Sequence, residues 1–266
     1  MTETIRSITI KGGRFKNGQP EVVELTLYPG DTFAVVGPTG SGKSRLLADI
    51  EYLAQCDTPS GRRILLNGAP PAAEIRFAEG GRLIAQLSQN MNFVMDATVE
   101  EFIAMHAECR EAGQADSAKR NEKGWIGEVV ERANRLTGEP LAPSSPLTSL
   151  SGGQSRALMI ADTALLSDSP IVLIDELENA GIYRDEALGM LVQSGKIVLM
   201  ATHDPLLALS ANRRITLSGG GMVQVLQTSE EEARLLTRLK QADAALLAIR
   251  EHLRQGKRLS ETELFS

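Results

Sequence analysis

Three stretches of this chain carry residue types and spacings suited to phosphate chemistry. The first is Gly37-Pro38-Thr39-Gly40-Ser41-Gly42-Lys43-Ser44, between an apolar run at 33–36 and the helical pattern Leu46-Leu47-Ala48-Asp49-Ile50. A strand feeding a glycine-rich loop that opens a helix turns backbone N–H groups toward an anion and adds the positive end of the helix dipole. Gly37, Gly40 and Gly42 let the backbone wrap closely. Lys43 is placed to reach β- and γ-phosphates as a point charge, and the Ser44 hydroxyl to ligate Mg²⁺. Arg45 follows directly in the first turn of the helix. The second stretch, 171–176, is an apolar strand ending in two carboxylates. There Asp175 can hold hydrated Mg²⁺, and Glu176 can orient or deprotonate an attacking water; the plainer alternative is a helix cap with a first-turn acid. The third, Leu150-Ser151-Gly152-Gly153-Gln154, puts a serine and two glycines at the start of a helical run, a second anion cradle. A further apolar strand, 197–202, leads to His203-Asp204, where the imidazole either hydrogen-bonds a γ-phosphate or caps a loop. Nucleotide binding is the expectation.

These residues need a framework, and the 266-residue chain is long enough to bury a sizeable α/β core with an inserted subdomain. Its composition, 42% hydrophobic with few aromatics, is that of a soluble globular protein. A net charge of −6 argues against nucleic acid as the main partner. Cys56 and Cys109 form no metal-site or C-x-x-C pattern and read as buried, inert thiols in a reducing compartment. No apolar run approaches transmembrane length and the N-terminus lacks a signal-peptide core, so a cytoplasmic location is expected, with any membrane association coming through a partner.

Along the chain, Ile5, Ile8 and Ile10 and the run 22–27 read as strands around a turn-rich stretch at 12–20. Phe15 in that stretch reads either as an adenine-stacking ring or as a core aromatic. Pro29-Gly30-Asp31 is a turn, Ile64-Leu65-Leu66 a strand closed by Asn67-Gly68, and 83–87 another strand. From about 98 to 140 the spacing turns helical, with Val99, Phe102, Ile103 and His106, then Ile126, Val129, Val130 and Ala133. A polar linker at 111–123 separates them. His106 reads as a packed or solvated side chain rather than a ligand. At the end, Ser229-Glu230-Glu231-Glu232 is a capping box opening a helix. Leu235, Leu239, Ala242, Leu246, Ile249 and Leu253 then recur at four and three residues. That stripe is under three heptads and is expected to pack on the protein's own body or on its symmetry mate. Arg250, Arg254, Lys257 and Arg258 read as a solvated helix end.

Taken in order, the phosphate loop, the 150–154 signature, the acidic strand and Thr202-His203-Asp204 resemble the nucleotide-binding subunit of an ATP-binding cassette (ABC) ATPase, over about residues 5–227. The resemblance implies an α/β fold: a P-loop NTPase core with an N-terminal antiparallel β subdomain and an inserted helical signature subdomain, plus a C-terminal helix. The units implied are 1–227, with the helical insertion at about 98–150, and an extension at 228–266. It further implies ATP and Mg²⁺ as ligands and hydrolysis of ATP to ADP and phosphate. Residues 37–45, Phe15 and Ser151-Gly152-Gly153-Gln154 would hold nucleotide. Ser44, Gln89 and Asp175 would hold the metal, and Glu176, His203 and Gln89 would act in catalysis. Gln86 is the other candidate for the family's glutamine, but the spacing to Thr98-Val99-Glu100-Glu101-Phe102 favours Gln89. A head-to-tail homodimer or heterodimer of ATPase subunits is implied, each signature covering the other subunit's ATP. The partner implied is a membrane permease or, alternatively, a soluble complex engaged in cofactor assembly, protein remodelling or DNA maintenance. The chain departs from the family in three places. Leu177-Glu178-Asn179-Ala180-Gly181-Ile182 stands where Pro-Thr-Ser-Ala-Leu-Asp is common, so Ile182 replaces an interfacial aspartate. The span from Glu176 to His203 is short, and Asp162 occupies a position more often basic or apolar.

Overall fold

The strand sequences are apolar on both faces because both faces are covered. The computed structural model describes residues 4–79, 83–88, 92–113, 122–175 and 181–258. Its strands are β1 (Ile8–Lys11), β2 (Leu25–Leu27), β3 (Thr32–Val36), β4 (Arg63–Leu66), β5 (Ile84–Leu87), β6 (Ile171–Asp175), β7 (Ile197–Ala201), β8 (Arg213–Ser218) and β9 (Gly221–Gln227). The larger sheet has the order β5-β6-β7-β3-β8-β9, and the smaller the order β2-β1-β4. In the larger sheet all neighbours are parallel except β9, which returns as a hairpin on β8; the smaller sheet is antiparallel. Val172 and Ile174 of β6 with Val198 and Met200 of β7 enter one apolar cluster. Their alternates Ile171, Leu173, Ile197 and Leu199 enter the other, shared with the small sheet. Period-two alternation into two cores is what a doubly covered parallel sheet requires.

The helices are α1 (Lys43–Glu51), α2 (Val99–Gly113), α3 (Glu122–Leu136), α4 (Gly152–Leu165), α5 (Arg184–Gln193), α6 (Pro205–Ser210) and α7 (Glu230–Arg254). The expected helical spacing appears in α2 and α3, whose Val99, Phe102, Ile103, Val129 and Ala133 are buried in the first cluster. The polar stretch at 111–123 begins inside α2 and ends inside α3; the residues between lie outside the described residues. His106 sits on α2 against Phe102, ring centroids 4.2 Å apart, and its Nδ1 meets Asp162 Oδ1 of α4 at 2.8 Å. Asp162, unusual for its position, is thus an ion-pair partner. The loop between α4 and β6 is closed by Lys196, whose ammonium donates to the Ser167 and Ser169 carbonyls at 2.7 Å. Burial pushes this lysine down to about 8.

Several expectations are corrected. The run 22–27 forms a strand only at Leu25–Leu27, because β1 offers Ile8–Ile10 as partners and Val22 points outward, 89% exposed. Both cysteines are exposed rather than buried. Cys56 lies in a turn with φ 66°, and Cys109 falls off the face of α2 that carries Phe102, Ile103 and Ala107. The α7 stripe is only partly covered: Leu239 and Ile249 are half-buried, whereas Leu246 is 51% and Leu253 57% exposed. What anchors α7 is largely polar. The capping box forms, with Ser229 N donating to Glu232 Oε2 at 3.0 Å and Glu232 N to Ser229 Oγ at 3.2 Å. The Arg214 guanidinium, with the Ser229 N–H, holds the Glu232 carboxyl down to about 2.

A fully buried arginine ties the two sheets together. Arg62 donates from Nε and Nη2 to the two Glu21 oxygens at 3.0 Å, from Nη1 to Asp49 Oδ2 at 2.9 Å, and from Nη2 to the Gly220 carbonyl at 2.8 Å. Replacing it by a shape-matched apolar residue strands two carboxylates in the core. Arg62→Met is expected to lower unfolding free energy by about 3–5 kcal/mol, read from denaturant midpoints at constant m; a loss under about 1 kcal/mol would rule this network out as a structural tie.

The His106–Asp162 pair gives a pH dependence with a definite sign. The Asp162 hydrogen bond raises the imidazole above its ordinary 6.5, so the folded state holds the proton more tightly than the unfolded chain. Its stabilisation is complete below that ordinary value and is lost as pH rises through the folded one. Asp162→Asn is therefore expected to flatten the thermal midpoint between about pH 8 and pH 5 relative to the parent chain. Parallel pH profiles for the two proteins would contradict the assignment.

Candidate functional site

Parallel strands bring the candidate residues to one edge because their carboxyl ends are in register. Val35 of β3 pairs with Ala201 of β7, and Ala201 with Asp175 of β6. The phosphate loop, the Thr202-His203 turn and the acidic strand end therefore leave the sheet side by side, where ligands of open α/β sheets bind. Asp175 is half-buried there, Thr202 is buried and His203 is exposed. Gln86, the weaker glutamine candidate, lies within β5. Gln89, Glu176 and Leu177 to Ala180 lie outside the described residues.

The phosphate loop is tightly built. A Cβ on Gly37 would sit 2.4 Å from the Leu217 carbonyl oxygen and 2.7 Å from Ser41 Oγ, so only glycine fits. Ser41 Oγ is buried with no hydrogen-bond partner among the described residues, a polar atom left over inside the cradle. Lys43 Nζ donates to the Gly37 carbonyl at 3.0 Å and the Pro38 carbonyl at 3.5 Å, which centres its charge on the loop. Pro38, Thr39, Gly40, Ser44 and Arg45 are exposed. Helix α1 opens at Gly42, φ 108°, with no side-chain cap, so its first N–H groups face the loop for an anion to satisfy.

The signature is built differently. Ser151 caps α4, accepting from Gln154 N at 3.2 Å, while the Gln154 side chain accepts from Ser151 N at 2.9 Å. A serine that accepts in a cap still has its hydroxyl proton to donate. Gly152 is exposed and Gly153 half-buried, and a Cβ on Gly181 would sit 3.6 Å from Gly153 Cα. Ile182, in place of the family's aspartate, packs against the apolar cluster rather than presenting a polar group.

Phe15 is half-buried against the β8–β9 turn; a Cβ on Gly221 would lie 2.6 Å from its ring. Sequence reasoning missed its neighbour. Lys16 Nζ donates to the Gly40 carbonyl at 2.8 Å, and Lys16 N to Gly219 O at 2.8 Å. Gly220 was missed too: its N–H donates to Ser41 O at 3.0 Å while its carbonyl accepts from Arg62. The signal that could have found it is the Gly219-Gly220-Gly221 triplet, since consecutive glycines inside a hairpin mark close backbone approach.

Comparison with known proteins agrees with this geometry. The family model for ABC transporters matches residues 21–179. The chain is 54% identical over 261 residues to the ABC transporter ATP-binding protein MJ0121 of Methanocaldococcus jannaschii, covering 98% of this chain and 97% of that one. It is 28% identical over 92% of its length to the macrolide export ATP-binding/permease protein MacB of Hahella chejuensis, spanning only 38% of that protein. Among solved structures, cbiO1 of Clostridium perfringens, part of the ABC transporter complex cbiONQ, is similar at TM-score 0.61 and 20% identity, over 95% of this chain and 100% of that one. The ATP-binding cassette MJ0796, in a dimeric post-hydrolysis state with ADP and Pi, is similar at TM-score 0.60 and 21% identity, over 84% and 99%. At those identities the structures speak for the fold, whereas the sequence relative extends over nearly the whole chain: it belongs to the ABC transporter family and is an ATP-binding ATPase.

Proposed function

We propose that this chain is the ATP-hydrolysing subunit of a membrane transporter, working as a head-to-tail pair that closes on ATP and opens after hydrolysis. The observation that carries the reading is the contrast between two glycine-containing helix starts. At α1 the N-terminus is uncapped and beside a lysine; at α4 it is self-capped, with Gly152 exposed and the Ser151 proton free to donate. The first is a complete phosphate site. The second has a donor and an open backbone but makes sense as a cradle only with a nucleotide opposite, which a second copy supplies.

In this reading the backbone N–H groups of 37–44 and the Lys43 ammonium bind the β- and γ-phosphates. Glu176 orients or deprotonates the attacking water, and His203 hydrogen-bonds the γ-phosphate. The second copy's Ser151 and Gly152 donate to the same phosphate, and Phe15 stacks on adenine. The Ser44 hydroxyl and the Asp175 carboxylate are the hard oxygen donors that Mg²⁺ prefers beside phosphate oxygens, with Gln89 as a third. When bound, Mg²⁺ neutralises charge on the transferring phosphoryl group.

A groove of about 380 Å³ beside β5, lined by Gln86, Phe93, Val94, Met95, Phe102 and His106, supports the permease partner. Val94 is 96% exposed at its mouth, an apolar side chain suited to protein contact. Among the described residues no helix is long and apolar enough to cross a membrane, so the permease would have to be another chain or segment. In this reading the subunit works at the cytoplasmic face of the membrane, held there through its partner.

Two experiments test the chemistry and the assembly. Glu176→Gln is expected to keep ATP binding and lose about a hundredfold or more in turnover, while Lys43→Ala loses the triphosphate. Turnover of Glu176→Gln within about twofold of the parent would remove Glu176 from the role. In sedimentation, ATP should convert the Glu176→Gln variant from monomer to dimer, and adding Ser151→Arg should abolish the dimer. A monomer throughout would remove the sandwich for the isolated chain.

A further inference from the structure

Residues 181–184 stand where four parts of the molecule meet. Gly181 lies against Gly153 of the signature. Tyr183 N donates to the carbonyl of Leu136, the last residue of α3, at 2.8 Å. Arg184, the first residue of α5, then reaches two carboxylates on other elements: its Nη1 pairs with Asp204 Oδ2, and its Nη2 with Asp243 Oδ2 of α7 at 3.1 Å. Asp204 is the residue after His203. Its N–H donates to Thr202 Oγ1 at 2.9 Å and its other oxygen caps α6, accepting from Leu206 N at 2.8 Å. His203 therefore sits between two residues whose positions are set by side-chain hydrogen bonds, and the Arg184 guanidinium orients one of them.

We infer that Arg184 is a positioning residue for the His203 turn and that, through Asp243, it makes the orientation of that turn depend on where α7 is docked. The planar guanidinium is suited to this, because its two outer nitrogens serve two carboxylates at fixed angles, which an ammonium cannot do. The side chains involved are 10–25% exposed, so the pairing is shielded from solvent. The nearby Lys240–Asp185 pair at 2.7 Å is about half exposed on both sides and adds little to the coupling. The C-terminal helix thus has a route to the γ-phosphate without contributing a residue to the site.

The inference rests on the reading of His203 as the γ-phosphate contact, and the test separates the two. Turnover, ATP affinity and thermal midpoint are measured on full-length Arg184→Ala, Arg184→Lys, Asp243→Asn and His203→Ala. Arg184→Ala is expected to lower kcat about tenfold or more while the Kd for ATP stays within about twofold. Arg184→Lys and Asp243→Asn each lose the second arm and should fall about two- to fivefold, with the double variant no worse than either, because both break the same link. Parental kcat in folded Arg184→Ala, or a Kd that weakens in step with kcat, overturns the inference. Should Arg184→Ala not fold, Asp243→Asn decides: unchanged kcat overturns it, and a partial loss at constant Kd supports it. Parental turnover in His203→Ala would overturn the reading of that histidine and this inference with it. Loss there beside a parental Arg184→Ala overturns the inference alone.

Discussion

One guanidinium sets the conditions under which the phosphate loop can exist in this chain. Arg62 is wholly buried, and a charge out of water persists only with partners filling its donor directions. Its partners come from sequence distances of 13, 41 and 158 residues. Glu21 is held in turn by Gly13 N at 2.8 Å and by Met222 N, and Asp49 by Ser60 Oγ at 2.7 Å. The small antiparallel sheet, the helix after the phosphate loop and the β8–β9 hairpin are thereby fixed to one another. Through the Gly220 peptide, which bonds Arg62 on one side and Ser41 on the other, that tie reaches the cradle itself. Lys16 closes the other side on Gly40. A loop whose work is done by backbone N–H groups needs such external support, since it has little side-chain packing of its own to hold its shape.

The second constraint is the parallel sheet. Because β6 and β7 end level and β3 runs one residue further, one edge collects the ends of strands that are far apart in the chain. Burial on both faces, seen in the alternation between the two clusters, makes that edge rigid. Against it, α1 and α4 use glycine and serine to opposite ends. One has no side-chain cap on its first N–H groups; the other caps the Gln154 N–H with Ser151 and the Ser151 N–H with the Gln154 side chain. The same residue types thus build one helix start without a side-chain cap and one that caps itself.

The segment after β6 shows how a chain can depart from its family's pattern and keep its connections. Ile182 turns into the apolar cluster, so the polar contact usual there is absent from that side chain. Contacts from Gly181, Tyr183 and Arg184 nevertheless run to the signature, to the end of α3, to Asp204 and to α7. The contacts of this segment run through backbone packing and an arginine rather than through an aspartate at position 182.

Much of this was legible in the chain alone, and the reason is that it is local. The strand–loop–helix of the phosphate site, the strand ending at Asp175, the capping box at Ser229 and the helical spacing of α2 and α3 are each written within a few residues, because the backbone's own hydrogen-bonding and the side-chain period demand those residue types nearby. What the tertiary structure decided is non-local. That Arg62 would be buried rather than solvated, that Asp162 would meet His106 56 residues away, and that Lys16 would pin the loop 24 residues on are facts of three-dimensional encounter. A charged residue in sequence carries no mark of which partner will neutralise it. The cysteines and the α7 stripe were misjudged for the same reason: apolar character states a preference for burial, but only the packing of the other elements determines whether there is a surface to be buried against.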